Sequence, residues 1–538
     1  MEILWFPQDV HAPSFLPSSQ ILAPLVLVSL VIFYILISIK SWYRLRHIKG
    51  PWLGSISSLF MIKTASSGRM GEIYWETCKK YGPDVLMTTD PNILRHMNRA
   101  RTDYSRGDWY LSMRLNPYID SVLSAMDTAH HDRLRSQMTA GYAGKENPTL
   151  EPSIDEQILE LISLIERKYL SSGSTLRPFD FATEAQYLTL DVITKLSYGY
   201  AFGYLKKEED IHGYIENMEN LIQFICISGV FPPLVKFIRL GPIQKLFGPS
   251  VNDSKGAGRL MRIAHEIVSA RYSSTKPPQK DMLNSFISHG LTQPEAESEV
   301  LLQIVAGSDT TSTAIRSTFL HLLSSPPTLS RLISEIGTAL ASTEKNISRP
   351  IITSSEARTL PYLQACISEG LRIHPPFTGI IPKKTPPAGD TLNGTFIPGN
   401  VSIASCTWGV TRNPTIFGAD AETFRPERWL DRGDGLGLND EGMSIKEMGW
   451  VKDLVFGNGR WGCLGKGVAL VELDKVVFEL IARFEWRLVG VGGLGLGLVG
   501  GGEGLERPWN SVNYNLFMQR EMWTRVEKRE GTGREGSE

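Results

Sequence analysis

The sequence is poor in the residues that build cross-links. Five cysteines, Cys78, Cys226, Cys366, Cys406 and Cys463, are scattered through 538 residues, with no CxxC pair and no His/Cys cluster at metal-finger spacing. An odd, dispersed set excludes a disulfide framework and a structural zinc site. It fits a reducing compartment, where a lone cysteine is a small buried hydrophobe or the one residue that matters. Neither sign of charge is in excess: 56 basic and 57 acidic residues leave a formal charge of −1, and no global field selects nucleic acid. Internal repeats are absent, and 42% apolar with 9% aromatic residues exclude a disordered chain. At about 100 to 200 residues per domain, length alone favours about three domains.

Long apolar runs are also scarce, and the one present is informative. Residues 21–39, ILAPLVLVSLVIFYILISI, carry no charge; as a helix they extend about 28 Å, close to the hydrocarbon thickness of a bilayer. Lys40, Arg44, Arg46, His47 and Lys49 follow at once, whereas the preceding twenty residues hold Glu2 and Asp9 and no Lys or Arg. The positive-inside rule therefore puts residues 1–20 in the lumen and everything after the anchor in the cytosol. A cleavable signal peptide fits less well, because the run is long, lacks a basic n-region and is followed by KSWYRLR. Under this topology the N-x-S/T triplets at Asn252, Asn346 and Asn393 stay unmodified.

After a basic, proline-containing linker at 40–69, apolar residues recur at helical spacing from about 70 to 370, as in 154–169 and 188–198. Between 376 and 408 the texture changes to short β-branched pieces punctuated by Gly and Pro, which predicts hairpins. Residues 490–504 contain nine glycines and read as a surface loop; 531–538 read as a tail.

The sharpest local signal is FGNGRWGCLG, where glycines 457, 459, 462 and 465 bracket Cys463 just ahead of a helical stretch. A thiolate that binds metal needs N–H donors and access, and a glycine-rich turn at a helix N-terminus supplies both. Taken alone, such a turn with a buried cysteine is more often structural. The full run FGNGRWGCLGK, from Phe456, resembles the haem-ligand loop of the haem-thiolate monooxygenases, the cytochrome P450 superfamily. The likeness covers roughly residues 40–530, and GYAGKENPTLEPSID with RPWNS resembles the ascomycete branch that includes pisatin demethylase.

Three further landmarks occur in order along the chain. Thr292-Gln-Pro-Glu295 is a capping box with proline in the first turn, and Ser-Ser-Pro-Pro closes the pattern after Leu323, which predicts a helix of about 31 residues. In its middle stands Ala306-Gly-Ser-Asp-Thr-Thr311, where glycine and hydroxyl residues sacrifice helix propensity. By resemblance, Thr310 hydrogen-bonds the bound oxygen and Asp309 relays protons. Glu369 and Arg372 lie one helical turn apart, and by resemblance Arg428, in FRPERW, completes a buried Glu-Arg-Arg triad with a structural role. By resemblance His131 and Arg135, in HHDRLRSQM, match positions that contact the haem propionates, where cationic donors would pair with the carboxylates, with His130 the nearest competitor. By resemblance Arg460 and Phe456 also belong to the haem-binding residues, Arg460 as a propionate partner, although it stands one place earlier than the family's usual loop arginine, where this chain has Trp461. The stretch from Tyr81 is about half a dozen residues shorter than in similar chains.

The resemblance implies a mainly α fold with a minor β-region, one large domain over 70–530 preceded by a transmembrane helix. It implies haem b on Cys463, with O2 and NADPH as cosubstrates through a membrane-bound flavoprotein reductase, at the endoplasmic reticulum membrane. The pocket would be lined by residues 104–124, 221–240, 302–310, 377–381 and 512–517, mostly apolar, so an apolar small molecule from secondary metabolism is the expected substrate. An O2-independent isomerase of the same superfamily, and a decayed or purely binding membrane-tethered paralogue, are the alternatives.

Overall fold

A computed structural model of the chain describes residues 19–82, 86–99, 101–275, 277–343, 347–489 and 508–530. The chain divides into two units, Met1–Phe60 and Met61–Glu538. The glycine-rich 490–504 segment, the tail and Asn346 lie outside the described residues.

In the first unit, helix α1 (Ser19–Leu45) contains a stretch, Pro24–Leu45, of mean hydropathy 2.2. Leu25, Phe33, Leu36 and Ile39 on it are exposed, as the side chains of a helix that crosses lipid are expected to be. It is a candidate membrane anchor. A second apolar pair, Ile211–Val230 with Pro232–Ile238, is bent by 113°, and the first of the two buries Met218, Ile222 and Cys226 in the protein body.

The second unit is built on nine helices relevant to the site: α2 (Thr128–Tyr142), α3 (Leu150–Leu164), α4 (Phe181–Tyr198), α5 (Tyr214–Val230), α6 (Gly256–Tyr272), α7 (Gln293–Leu323), α8 (Pro326–Ala341), α9 (Pro361–Ile373) and α10 (Lys466–Arg483). Helix α7 has the 31 residues its end signals predict, and its Thr292/Glu295 capping box is formed. It packs on α4, α6, α9 and α10 and so organises the core. Glycine is needed at Gly307, where a Cβ would stand 2.6 Å from Ile193 of α4; its absence lets the two helices approach at the site. The helical stretch expected over 154–169 ends as α3 at Leu164 and continues as a π-helical turn, Ile165–Tyr169.

The strands are β1 (Met87–Thr88), β2 (Ser105–Arg106), β3 (Phe179–Asp180), β4 (Ile380–Lys384), β5 (Asp390–Leu392), β6 (Thr395–Ile397), β7 (Ser402–Cys406), β8 (Phe484–Leu488), β9 (Asn510–Tyr514), β10 (Leu516–Arg520) and β11 (Trp523–Lys528). The main sheet runs β1-β7-β4-β2, with β4 antiparallel to both β7 and β2. The β2–β4 register sets Arg106 directly opposite Lys383. Instead of the three domains that length suggested, Met61–Glu538 forms one compact unit with small sheets at the margin of a helical core.

Candidate functional site

The loop that carries Cys463 is closed by its own backbone: Cys463 N–H donates to the Phe456 carbonyl at 2.7 Å. Gly459, at φ +60°, sits where a Cβ would be 2.3 Å from the Asn98 carbonyl oxygen, so no other residue fits this turn. Burial pushes the Cys463 thiol up, while the N–H groups of Gly465 and Lys466, at the start of α10, and the charges of Arg135 and Lys466 pull it down. These donors are placed to hold a sulfur anion. Residue Cys463 is open on one side although its thiol is densely surrounded by protein; Cys78, Cys226, Cys366 and Cys406 are buried. Among the described residues, no three His, Cys, Asp or Glu side chains form a metal cluster.

Next to this loop lie two buried basic side chains, Arg106, which donates to the Val122 and Ala125 carbonyls at 2.8 Å with Asp120 and Glu299 in its field, and Lys383. Lys383 and Arg106 flank Trp461, with the Lys383 Nζ 3.9 Å and the Arg106 guanidinium 4.5 Å from the ring centroid. The Lys383 Nζ, Arg106 Nε and Trp461 Nε1 are buried and have no hydrogen-bond partner in the chain. Burial, with Arg106 and Arg460 nearby, drives Lys383 well below the usual lysine range. Lys383 tends to the neutral amine rather than face the Arg106 charge across the strand pair, and unpartnered buried donors are costly; a ligand with two carboxylates would supply acceptors and favour the charged form. Haem, with its two propionates, fits these residues.

Of the residues expected here, Arg135 donates to the Gly462 carbonyl at 2.6 Å. His131 is 1% exposed, its ring 4.3 Å from that of Trp461, and its Nδ1 lies 2.9 Å from Asp132. Burial and then Arg106 hold it down at about 4, so it is neutral rather than the cation the sequence suggests. A bound carboxylate would raise it. Arg460 turns away, to within 3.3 Å of Asp132 at a partly exposed position, because the 3-10 turn Gly459–Trp461 puts Trp461 inward instead. His130 also has a buried, unpartnered Nε2.

At the middle of α7, the Thr310 hydroxyl donates to the Ala306 carbonyl at 2.7 Å. Asp309 Oδ1 accepts from Gln186 Nε2 at 2.7 Å, and Oδ2 faces the Tyr214 hydroxyl at 3.4 Å. Burial, partly offset by Arg316 and Tyr214, lifts Asp309 to about 6, so both protonation states are accessible near neutral pH.

The third group is fully buried. Glu369 accepts a bidentate pair from Arg372, at 2.8 and 2.7 Å, and a further bond from Arg428 at 2.9 Å. Trp429 Nε1 and the Arg425 N–H complete its shell. Burial opposes its ionisation, but Arg372 and Arg428 hold it below the usual carboxylate range. Arg372 also donates to the carbonyls of Thr411, Ala421 and Thr423, tying α9 to the segment ahead of the cysteine loop. Sequence reasoning missed Lys383, Arg106, Gln186 and Tyr214. The signal for the first two was the pairing of two cationic segments, which is visible only once the register is known.

Comparison with known proteins agrees with this arrangement. The family model described as Cytochrome P450 matches residues 50–492. The chain is 42% identical over 504 residues to "Cytochrome P450 monooxygenase ABA1" of Pyricularia oryzae, covering 91% of this chain and 94% of that protein. It is 36% identical over 499 residues to "Cytochrome P450 monooxygenase aba1" of Botryotinia fuckeliana, covering 91% and 93%. With "Cytochrome P450 monooxygenase pkfB" of Emericella nidulans it shares 29% over 530 residues, covering 94% and 96%.

Proposed function

Since the chain belongs to the cytochrome P450 family and is a haem-thiolate monooxygenase, we propose that it oxidises an apolar small molecule of fungal secondary metabolism with electrons from an NADPH-dependent flavoprotein reductase. In that reaction RH, O2, NADPH and H+ give ROH, H2O and NADP+. The observation that carries the reading is the coexistence of the Cys463 loop, the unpartnered buried donors of Lys383, Arg106 and Trp461, and the Asp309–Thr310 pair. A decayed paralogue has no reason to keep all three. When bound, haem supplies oxygen activation, with the thiolate favouring O–O cleavage.

The chain's residues do the rest. Cys463 would hold the metal, and Lys383, Arg106 and Arg135, with His131 once protonated, would pair with the propionates. Trp109 and Phe377, edge to face at 6.0 Å, belong to the apolar wall that orients substrate and excludes water. Asp309 exchanges protons and Thr310 presents its hydroxyl on the neighbouring turn position. As a separate check on the propionate assignment, Lys383→Met should retain the thiolate-type spectrum yet lose haem several-fold faster to a haem-free acceptor globin. Equal loss rates would remove Lys383 from the assignment.

Helix α1 is read as a single-pass anchor in the endoplasmic reticulum membrane, with the body cytosolic so that the reductase reaches it. The test of both readings uses microsomes carrying the full chain. Thr310→Ala should keep its haem while product per NADPH falls severalfold and peroxide rises; an unchanged ratio sinks the role. In the same preparation, added protease should digest the body, and a mass shift on endoglycosidase treatment would overturn the orientation.

A further inference from the structure

Asp309 is held by side chains from two other helices, and their hydrogen-bond roles are fixed by partners further out. On one side, Arg316 donates from Nε to the Ala182 carbonyl at 2.7 Å and from an Nη to Gln186 Oε1 at 2.9 Å. The Gln186 amide is thereby locked with its NH2 toward Asp309 Oδ1. On the other side, the Ser308 hydroxyl spends its only proton on the Ile304 carbonyl at 2.7 Å. Ser308 Oγ, 3.2 Å from the Tyr214 hydroxyl, can therefore only accept from it. Tyr214 is the one member with freedom: its O–H reaches either Asp309 Oδ2 or Ser308 Oγ.

We propose that Tyr214 is a positioning residue that lets Asp309 gain and lose a proton without rearrangement, by turning its own hydroxyl between two partners; the proposal rests on the reading of Asp309 as the proton relay. With Asp309 ionised, Tyr214 donates to Oδ2. When Asp309 takes up one proton on Oδ2, that O–H donates to the Tyr214 oxygen, and the tyrosine proton turns to Ser308 Oγ. One proton is gained, none leaves, and every polar atom keeps a partner in both states. An acid buried with a partner for only one state would be trapped in it, since an unpartnered buried polar group is costly.

The charged and titratable groups facing Asp309 are Arg316 from its own helix, Tyr214 from α5 and Tyr204 from the short helix before α5, while α4 presents the neutral Gln186. Burial keeps both tyrosines neutral, so Arg316 is the fixed charge and the hydroxyl switch is the adjustable element. Tyr214 is also the first residue of α5, which makes the position of that helix a condition for relay.

The test titrates the Asp309 carboxyl stretch by infrared difference spectroscopy on the full-length, carbon-monoxide-bound holoprotein, the band being identified by its loss in Asp309→Asn. Tyr214→Phe removes a charge-assisted donor to the carboxylate, so the midpoint should rise, by about one pH unit for one such bond. Ser308→Ala removes the acceptor needed only by the protonated form, so the midpoint should fall. Opposite shifts, with the thiolate-type spectrum intact, are what a merely structural role does not give. Shifts of the same sign, or none, overturn the switch. Peroxide per NADPH separates the two readings: if Asp309→Asn leaves it unchanged, the relay itself is wrong; if it rises and the midpoints do not move oppositely, only the switch is wrong.

Discussion

Replacing Cys463 by alanine is expected to abolish the thiolate-type absorption band of the reduced, carbon-monoxide-bound protein, while Cys366→Ala and Cys406→Ala leave it intact. The four other cysteines are buried in packing roles: Cys78 Sγ lies 3.6 Å from the Met87 carbonyl, Cys226 contacts the Tyr514 carbonyl, and Cys366 and Cys406 are fully enclosed. Truncating one of them removes a single small buried group, at a cost of about 1–2 kcal/mol. That leaves a cooperative domain folded, given a typical stability of about 5–15 kcal/mol. Cys463 differs in kind, because the Phe456 carbonyl closes its loop and N–H groups converge on its sulfur. If Cys463→Ala kept the band and another cysteine variant lost it, the ligand assignment would be wrong.

The second large effect is expected from Arg372→Leu, which should reduce the yield of folded holoprotein to near zero. The substitution strips Glu369 of its bidentate partner and leaves the Thr411, Ala421 and Thr423 carbonyls without that donor. Breaking a buried ion pair costs about 3–5 kcal/mol; the Thr423 carbonyl keeps a bond from Arg428 at 3.2 Å, while the Thr411 and Ala421 carbonyls each add about 1–3 kcal/mol, so the sum falls within the range of a whole domain's stability. Arg372→Lys should not rescue it, since an ammonium cannot make the planar fork. The pH dependence has a defined sign. Glu369 is depressed in the folded state, so its contribution is present above the unfolded carboxylate range, near 4.3, and is lost as pH falls through the lower folded value. Glu369→Gln should flatten that acid limb. Holoprotein recovered at parental yield from Arg372→Leu, with an unchanged urea midpoint, would rule the structural role out.

What the sequence disclosed was whatever is encoded locally. Helix α7 was legible to the residue because Thr292, Glu295 and the prolines on either side mark its ends chemically. The Cys463 loop was legible because positive-φ turns demand glycine. The Glu369, Arg372 and Arg428 cluster was legible through resemblance, since i,i+3 spacing alone describes any surface pair. What remained hidden depends on tertiary register. Arg106 and Lys383 belong to segments far apart in the chain that meet only as β2 and β4. Nothing in RGDWY or IPKKT marks them as a pair. Likewise, Arg460 looked like the propionate partner from its nearness to Cys463, but the turn that carries it faces Asp132. His131 was read as a cation because burial and the proximity of Arg106 cannot be seen in HHDRLR.

Lys383 and Arg106 around Trp461 also set the cost of leaving this corner empty. Across the β2–β4 register Arg106 stands opposite a lysine that burial drives toward its neutral form, and whose amine has no hydrogen-bond partner in the chain. A carboxylate seated there would restore the charge and supply the missing acceptor, which links the affinity for the ligand to the stability of this strand pair.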